Sequence, residues 1–299
     1  MKTEAEAIAE LSQKPVPHRL TLSDPSGKKV EVLVTPDGSG GYCTETAKEH
    51  LDEYATAPDA RSGVAQLTEL ASFIDHAKRF KDVDSALFAN PSPSHPSMTA
   101  VLDYHRIGAE GAPRFGRHRG LYNFPLAEEW VAWKGSAGKA MSQGDFAKWI
   151  EDRIVDIADP SRAGDSAKAL VDLLGGSFAS PSRLIELSRG LSVRVGAKVA
   201  NAVNLQTGET NMQFSTTNED ATGAPLKVPS AFLLGIPVFK GGAVYTVAAR
   251  LRYRIVDGLV VWSYDLHRPD RYFDDAFREA CETAKMETGL PLFYGAPEQ

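Results

Sequence analysis

The run Arg114-Phe115-Gly116-Arg117-His118-Arg119-Gly120-Leu121-Tyr122 interleaves cations, aromatic rings and glycines. Guanidinium groups bind phosphate oxygens, rings stack on bases, and glycine lets a backbone approach closely. Arg114, Arg117, His118, Arg119 and Tyr122 are therefore candidates for anion or nucleic-acid binding. If the run is extended, Arg117 and Arg119 share one face with Phe115, and His118 takes the other. The same residues also fit a solvated strand end whose arginines pair with some of the 39 acidic residues. A second basic set, Arg250, Arg252 and Arg254, repeats at every other position, which is one face of a strand. It suits a phosphate backbone or an acidic partner. It suits equally well an outer sheet face kept soluble by charge, with Arg250 neutralised by Asp265.

Acid–base chemistry has weaker support. Asp103 and His105 are spaced to share a strand face, as are Asp265 and His267, and Asp75 adjoins His76. A carboxylate that orients a histidine is a catalytic pairing. If the protein is an enzyme, Asp103, His105 and His118 are the residues to carry it, on a nucleotide or phosphoester. Such pairs also arise by chance among 7 histidines and 39 carboxylates. No HExxH, GxSxG or P-loop pattern occurs, and the glycines of Asp37-Gly38-Ser39-Gly40-Gly41 read as a turn. The sequence thus leans away from an enzyme and implies no cofactor and no metal site.

Composition sets the frame for these residues. The chain has 299 residues, is 42% apolar and 24% charged, and carries a formal charge of −6. This is ordinary globular usage. A net negative protein is not a general nucleic-acid coat, but a local basic face still works because attraction is screened over roughly 8 Å. Cys43 and Cys281 form no disulfide framework and no zinc cage, as expected of a reduced, cytoplasmic protein. No apolar run approaches the roughly 20 residues needed to cross a bilayer.

The positioning elements follow from periodicity and turn residues. Strands are expected over His18–Asp24 and Lys29–Thr35, around the turn Asp24-Pro25-Ser26-Gly27. Helices are expected over residues 3–12 and 44–54. Residues 1–62 form an N-terminal segment of helix plus hairpin, a candidate oligomerisation arm, and residues 63–299 form the core domain. Within that core, Val64–Phe80 reads as one helix, with Leu67, Leu70, Phe73 and Ile74 at helical spacing. Strands are expected over 85–90, 98–107 and 114–124. Helices are expected over 127–133, 142–158 (with Ser142 as N-cap), 164–174 and 181–188. Strands return over 191–204, 212–216, 227–239 and 243–267, with a turn at Gln206-Thr207-Gly208-Glu209. A closing helix spans Asp270–Thr288, and a short strand spans Pro291–Tyr294. Asp257-Gly258 marks a two-residue hairpin turn. Its closure pairs Ile255 with Val260, Tyr253 with Trp262, Leu251 with Tyr264, Arg250 with Asp265 and Arg252 with Ser263. Trp130, Trp133, Trp149 and Trp262 are expected to pack in the core. Separate runs of helices and strands point to an α+β fold. Its sheet is mainly antiparallel, its helices are segregated in the middle of the chain, and one helix is C-terminal.

Several segments in order resemble the YfdQ-like family of uncharacterised phage and prophage proteins. They are Phe73-Ile74-Asp75-His76-Ala77-Lys78-Arg79-Phe80, Ala100-Val101-Leu102-Asp103-Tyr104-His105, and His118-Arg119 followed by Glu129-Trp130-Val131-Ala132-Trp133. Further along come Gln206-Thr207-Gly208-Glu209, Ile236-Pro237-Val238-Phe239-Lys240-Gly241-Gly242, Leu251-Arg252-Tyr253-Arg254 and Thr288-Gly289-Leu290-Pro291. The resemblance implies a phage gene expressed in the cytosol of a bacterial host. Members tend to be encoded near replication or recombination genes. It offers no catalytic residues to carry over. The leading expectation is therefore a non-enzymatic homo-oligomer that binds single-stranded DNA. The alternative is a self-assembling or sequestering protein that forms a shell or traps a host factor or signal molecule. No membrane partner is expected.

Overall fold

A computed structural model of the chain describes residues 18–23, 29–36, 42–46, 60–108, 111–162, 177–190, 228–257 and 259–298, together with residues 58, 164, 169, 171 and 172. The chain divides into two compact units, Met1–Ser62 and Gly63–Gln299.

The first unit holds a three-stranded antiparallel sheet of β1 (His18–Ser23), β2 (Lys29–Pro36) and β3 (Tyr42–Thr46). The β1–β2 hairpin is the one its turn residues predict. A strand stands where the sequence reading began a helix at Thr44. Tyr42, Thr44 and Thr46 favour a pleated surface, and the Ala/Lys/Glu pattern that suggested helix begins only after them. Residues 3–12 and 47–54 lie outside the described residues.

The second unit is built on two sheets. The five-stranded sheet has the order β14-β5-β6-β7-β4, with β4 (Gly63–Leu67), β5 (Ala86–Asn90), β6 (Ser97–Val101), β7 (His118–Asn123) and β14 (Leu292–Tyr294). The six-stranded sheet uses β8 (Met141–Ser142), β9 (Ile157–Ala158), β10 (Phe178–Ala179), β11 (Ala231–Pro237), β12 (Val244–Val256) and β13 (Leu259–Leu266). Its order is β10-β11-β12-β13-β8, with β9 also on β11. Among the described strands, β4 with β7, β14 with β5 and β10 with β11 pair in parallel, and the other pairings are antiparallel. The helices are α1 (Leu70–Phe80), α2 (Glu128–Ser136), α3 (Gln143–Asp152), α4 (Pro181–Gly190) and α5 (Pro269–Thr288). The fold is α+β with mainly antiparallel sheets and a C-terminal helix.

Local chemistry accounts for several boundaries. Ser142 caps α3 by accepting the Asp145 amide at 3.2 Å. Pro269 opens α5, and Gly289 closes it in the left-handed conformation at φ +67°. The β12–β13 hairpin has the expected register throughout, from Ile255↔Val260 to Arg250↔Asp265, with Asp257 at φ +50° in the turn.

Three further expectations, all in the second unit, need correction. Val64–Phe80 is not one helix: β4 ends at Leu67 and α1 starts at Leu70. Leu67 continues the apolar spacing of α1 but reaches the core from a strand paired with β7. The helix expected to run from Ser142 to Ala158 stops at Asp152, because Ile157 and Ala158 pair with β11. The strand expected over 98–107 ends at Val101, where a turn begins at Leu102. The expected helix over 164–174 is described only at residues 164, 169, 171 and 172. The strands over 191–204 and 212–216, with their turn, lie outside the described residues.

One apolar cluster joins both sheets and all five of these helices. It includes Phe73 of α1, Trp130 and Trp133 of α2, Phe146 of α3, Leu184 of α4 and Phe277 of α5. Trp262 of β13 stacks on Phe146 with centroids 5.2 Å apart. Burying a large apolar side chain stabilises the fold by about 1.5–3 kcal/mol. All four tryptophans are in or against this core, as expected.

Candidate functional site

The basic run 114–122 is shaped by groups that the sequence offered as catalytic. Asp103, just past β6, accepts the Arg117 amide at 3.1 Å and the His118 amide at 2.9 Å. The His105 Nδ1 accepts the Arg114 amide at 3.0 Å. Asp103 and His105 thus act here as backbone caps for the loop that enters β7.

The arginines of this run have different fates. Arg114 is held at 2.7 Å by Asp82 and at 3.8 Å by Asp84. Burial raises the Asp82 carboxyl, but hydrogen bonds from Arg114 and the Asp84 amide outweigh it and leave the group below its ordinary value. Gly116 sits at φ +58° and interrupts the extended run. Beyond this kink, the Arg117 guanidinium lies 4.9 Å from the centre of the Phe115 ring. That ring is 75% exposed. Arg119 lies on the outer face of the five-stranded sheet and donates to the carbonyls of Gly116 and Glu298. His118 points to the other face, against Phe80 and His76. Tyr122 is buried among Phe73 and Phe124, so it offers no exposed stacking face.

The second basic set stands on the six-stranded sheet. Arg250, Arg252 and Arg254 are exposed. Asp265 faces Arg250 in register, but its carboxylate pairs with Arg252 at 2.6 Å. The expected neutralisation of Arg250 by Asp265 is therefore corrected to a diagonal pair. The two basic sets lie on different sheets.

His76 of α1 sits over Gly120 of β7. A Cβ on that glycine would stand 3.0 Å from the His76 Nδ1. The same Nδ1 is buried with no hydrogen-bond partner. Burial, then His118 and Arg79, lower the His76 pKa from its ordinary 6.5. The folded state therefore prefers the neutral ring. Its stabilising contribution is complete above pH 6.5 and is lost as pH falls from 6.5 through the folded value. Urea midpoints should fall between pH 7.5 and pH 5.5, about a unit to either side of that ordinary value. The fall should be shallower in His76→Gln. Parallel pH profiles in the two proteins would contradict this reading.

Sequence reasoning missed a groove of about 630 Å³ between the first turn of α1, the Lys240-Gly241-Gly242 turn and α5. Tyr122, Phe124 and Phe239 line it, as do Glu69 and Lys240. Tyr245 donates to Glu279 at 2.5 Å on its wall. Burial first, then that bond, raise the Tyr245 phenol, which stays a proton donor. The only sequence signal was the segment 236–242, quoted for its resemblance rather than for its chemistry.

Residues 4–297 match the family model described as uncharacterized conserved protein (DUF2303). The chain belongs to this family. No curated protein and no solved structure matches it. Among the described residues of this DUF2303 chain, no three His, Cys, Asp or Glu side chains form a group able to hold a metal ion. No helix there is long and apolar enough to cross a membrane.

Proposed function

We propose that this chain is a phage-encoded, non-enzymatic protein that contacts single-stranded DNA in replication or recombination. The phage assignment rests on the ordered segments that resemble the YfdQ-like family. The DNA contact rests on one observation, the exposed Phe115 ring with Arg117 laid against it. The ring is carried by a loop whose Arg117 and His118 amides are fixed by Asp103. A base stacks on such a ring without sequence preference, and the neighbouring guanidinium meets the phosphate. Arg114 supports the reading less, because it is already held by two carboxylates.

Fluorescence anisotropy with a labelled oligonucleotide tests the reading. Wild type should bind, with affinity falling as salt rises. Phe115→Ala should weaken binding by about 5- to 100-fold, the loss of one stacked base. Arg117→Ala should lower the salt slope by about 0.7. A wild-type protein that leaves the anisotropy unchanged at low salt would end this proposal.

A further inference from the structure

The end of the described chain lies over the face that carries Arg119. The Gly295 amide donates to the Ala89 carbonyl of β5 at 2.8 Å. Three residues later, the Glu298 carbonyl accepts Arg119 Nη2 of β7 at 2.8 Å. The Glu298 carboxylate accepts the Tyr104 hydroxyl at 3.1 Å. Gly295 continues the β14 edge, and the long Arg119 side chain reaches from β7 to meet the segment at Glu298. Beneath it lies a small apolar cluster of Ala86, Phe88 and Val101, with Tyr104 packed against it. Val101 and Arg119 are direct cross-strand neighbours.

The groups gathered around Glu298 suit an anion. A phenol donates to its carboxylate, and a guanidinium donates to its carbonyl. The charges of His105 and Arg119 also help to hold its pKa down, after its own amide and the Tyr104 hydroxyl. A phosphodiester oxygen has the same charge sign and the same need for donors as this carboxylate. Arg119 lies three residues from Gly116, which it also contacts, and Gly116 adjoins Phe115 and Arg117.

We propose that Tyr104 and Arg119 form a phosphate site that the chain's own Glu298 occupies, so that residues 295–298 act as a strap in competition with single-stranded nucleic acid. The inference rests on the proposed nucleic-acid contact. A self-ligand that covers a site reduces apparent affinity by the fraction of molecules in which the site is open. The strap is exposed at Glu298, and its contacts are few, so displacement is cheap.

The test compares oligonucleotide binding by wild type, Glu298→Gln, a chain lacking residues 296–299, and Glu282→Gln. Glu282 is an exposed carboxylate on α5 paired with Lys285, and its variant controls for net charge. Glu298→Gln should bind about 3- to 10-fold tighter than wild type, the shortened chain at least as tightly, and Glu282→Gln equally with wild type. Tighter binding by both strap variants than by wild type, with Glu282→Gln unchanged, supports the site. Wild-type binding left unchanged by both strap variants overturns the strap and leaves the DNA contact standing. An equal gain from Glu282→Gln also overturns it, because only overall charge would then matter. No binding by any of the four proteins removes the DNA contact and the strap together. Circular dichroism confirms that each variant is folded.

Discussion

Trp133→Ala should lower stability by about 3–5 kcal/mol, read as a fall in the urea midpoint. Trp133 is fully buried on α2, against Trp149, Phe232 and Tyr264. Its loss removes the ring contacts that α2 makes with Phe232 and Tyr264 of the six-stranded sheet. It also strands a carboxylate. The Trp133 Nε1 donates at 2.8 Å to Asp156, which is itself buried. An acceptor left without its donor costs a further share, about 1–3 kcal/mol. A domain of this kind has only about 5–15 kcal/mol to lose. Trp133→Phe should fall between the two, because a ring remains while the donor is gone. A midpoint unchanged in Trp133→Ala would mean that α2 does not belong to the cooperative core.

Phe124→Ala should be nearly as damaging, at about 3–5 kcal/mol. Its ring lies 4.7 Å from Tyr122, 5.0 Å from Phe239 and 4.9 Å from Phe277. Those partners belong to β7, to the segment just after β11 and to α5. The backbone follows the same seam. Ala127 donates to the Val238 carbonyl at 2.9 Å, and Lys240 donates to the Pro125 carbonyl at 2.8 Å. The wild-type unit should therefore unfold in one transition, with the m-value of both sheets together. Phe124→Ala should shift the midpoint at nearly constant m. Two resolved transitions in wild type would show that the sheets are separate folding units.

Local signals made part of this architecture readable. The Asp257-Gly258 turn and the alternation on either side of it fix a register, because a one-residue slip would expose Trp262 and Tyr264. Ser142 and Gly289 mark helix ends through their own chemistry. The Val64–Phe80 segment misled because Leu67 keeps helical spacing with Leu70, Phe73 and Ile74 while lying in a strand. Strands of two residues, such as β8, β9 and β10, exist only through their partners, and no local pattern announces them.

The candidate site was legible only as a composition. The residue types of 114–122 were visible, but their availability was not. Arg114 is held from the 82–84 turn, more than a strand away in sequence. Asp103 looked like half of an acid–base pair because spacing shows proximity and not partners. Glu298 gave no signal, because the contact with Arg119 joins residues 179 positions apart. The groove around Lys240 depends on three distant segments meeting, and none of them is distinctive alone.

The place of β14 has a consequence for how the protein is made. β14 forms one border of the five-stranded sheet, parallel to β5. The Leu87 amide finds its acceptor only at Pro291, at 2.8 Å. On the ribosome, β5 emerges some two hundred residues before that partner, and through most of synthesis its apolar border stands open. Nascent chains stalled before residue 290 should be the ones that chaperones retain.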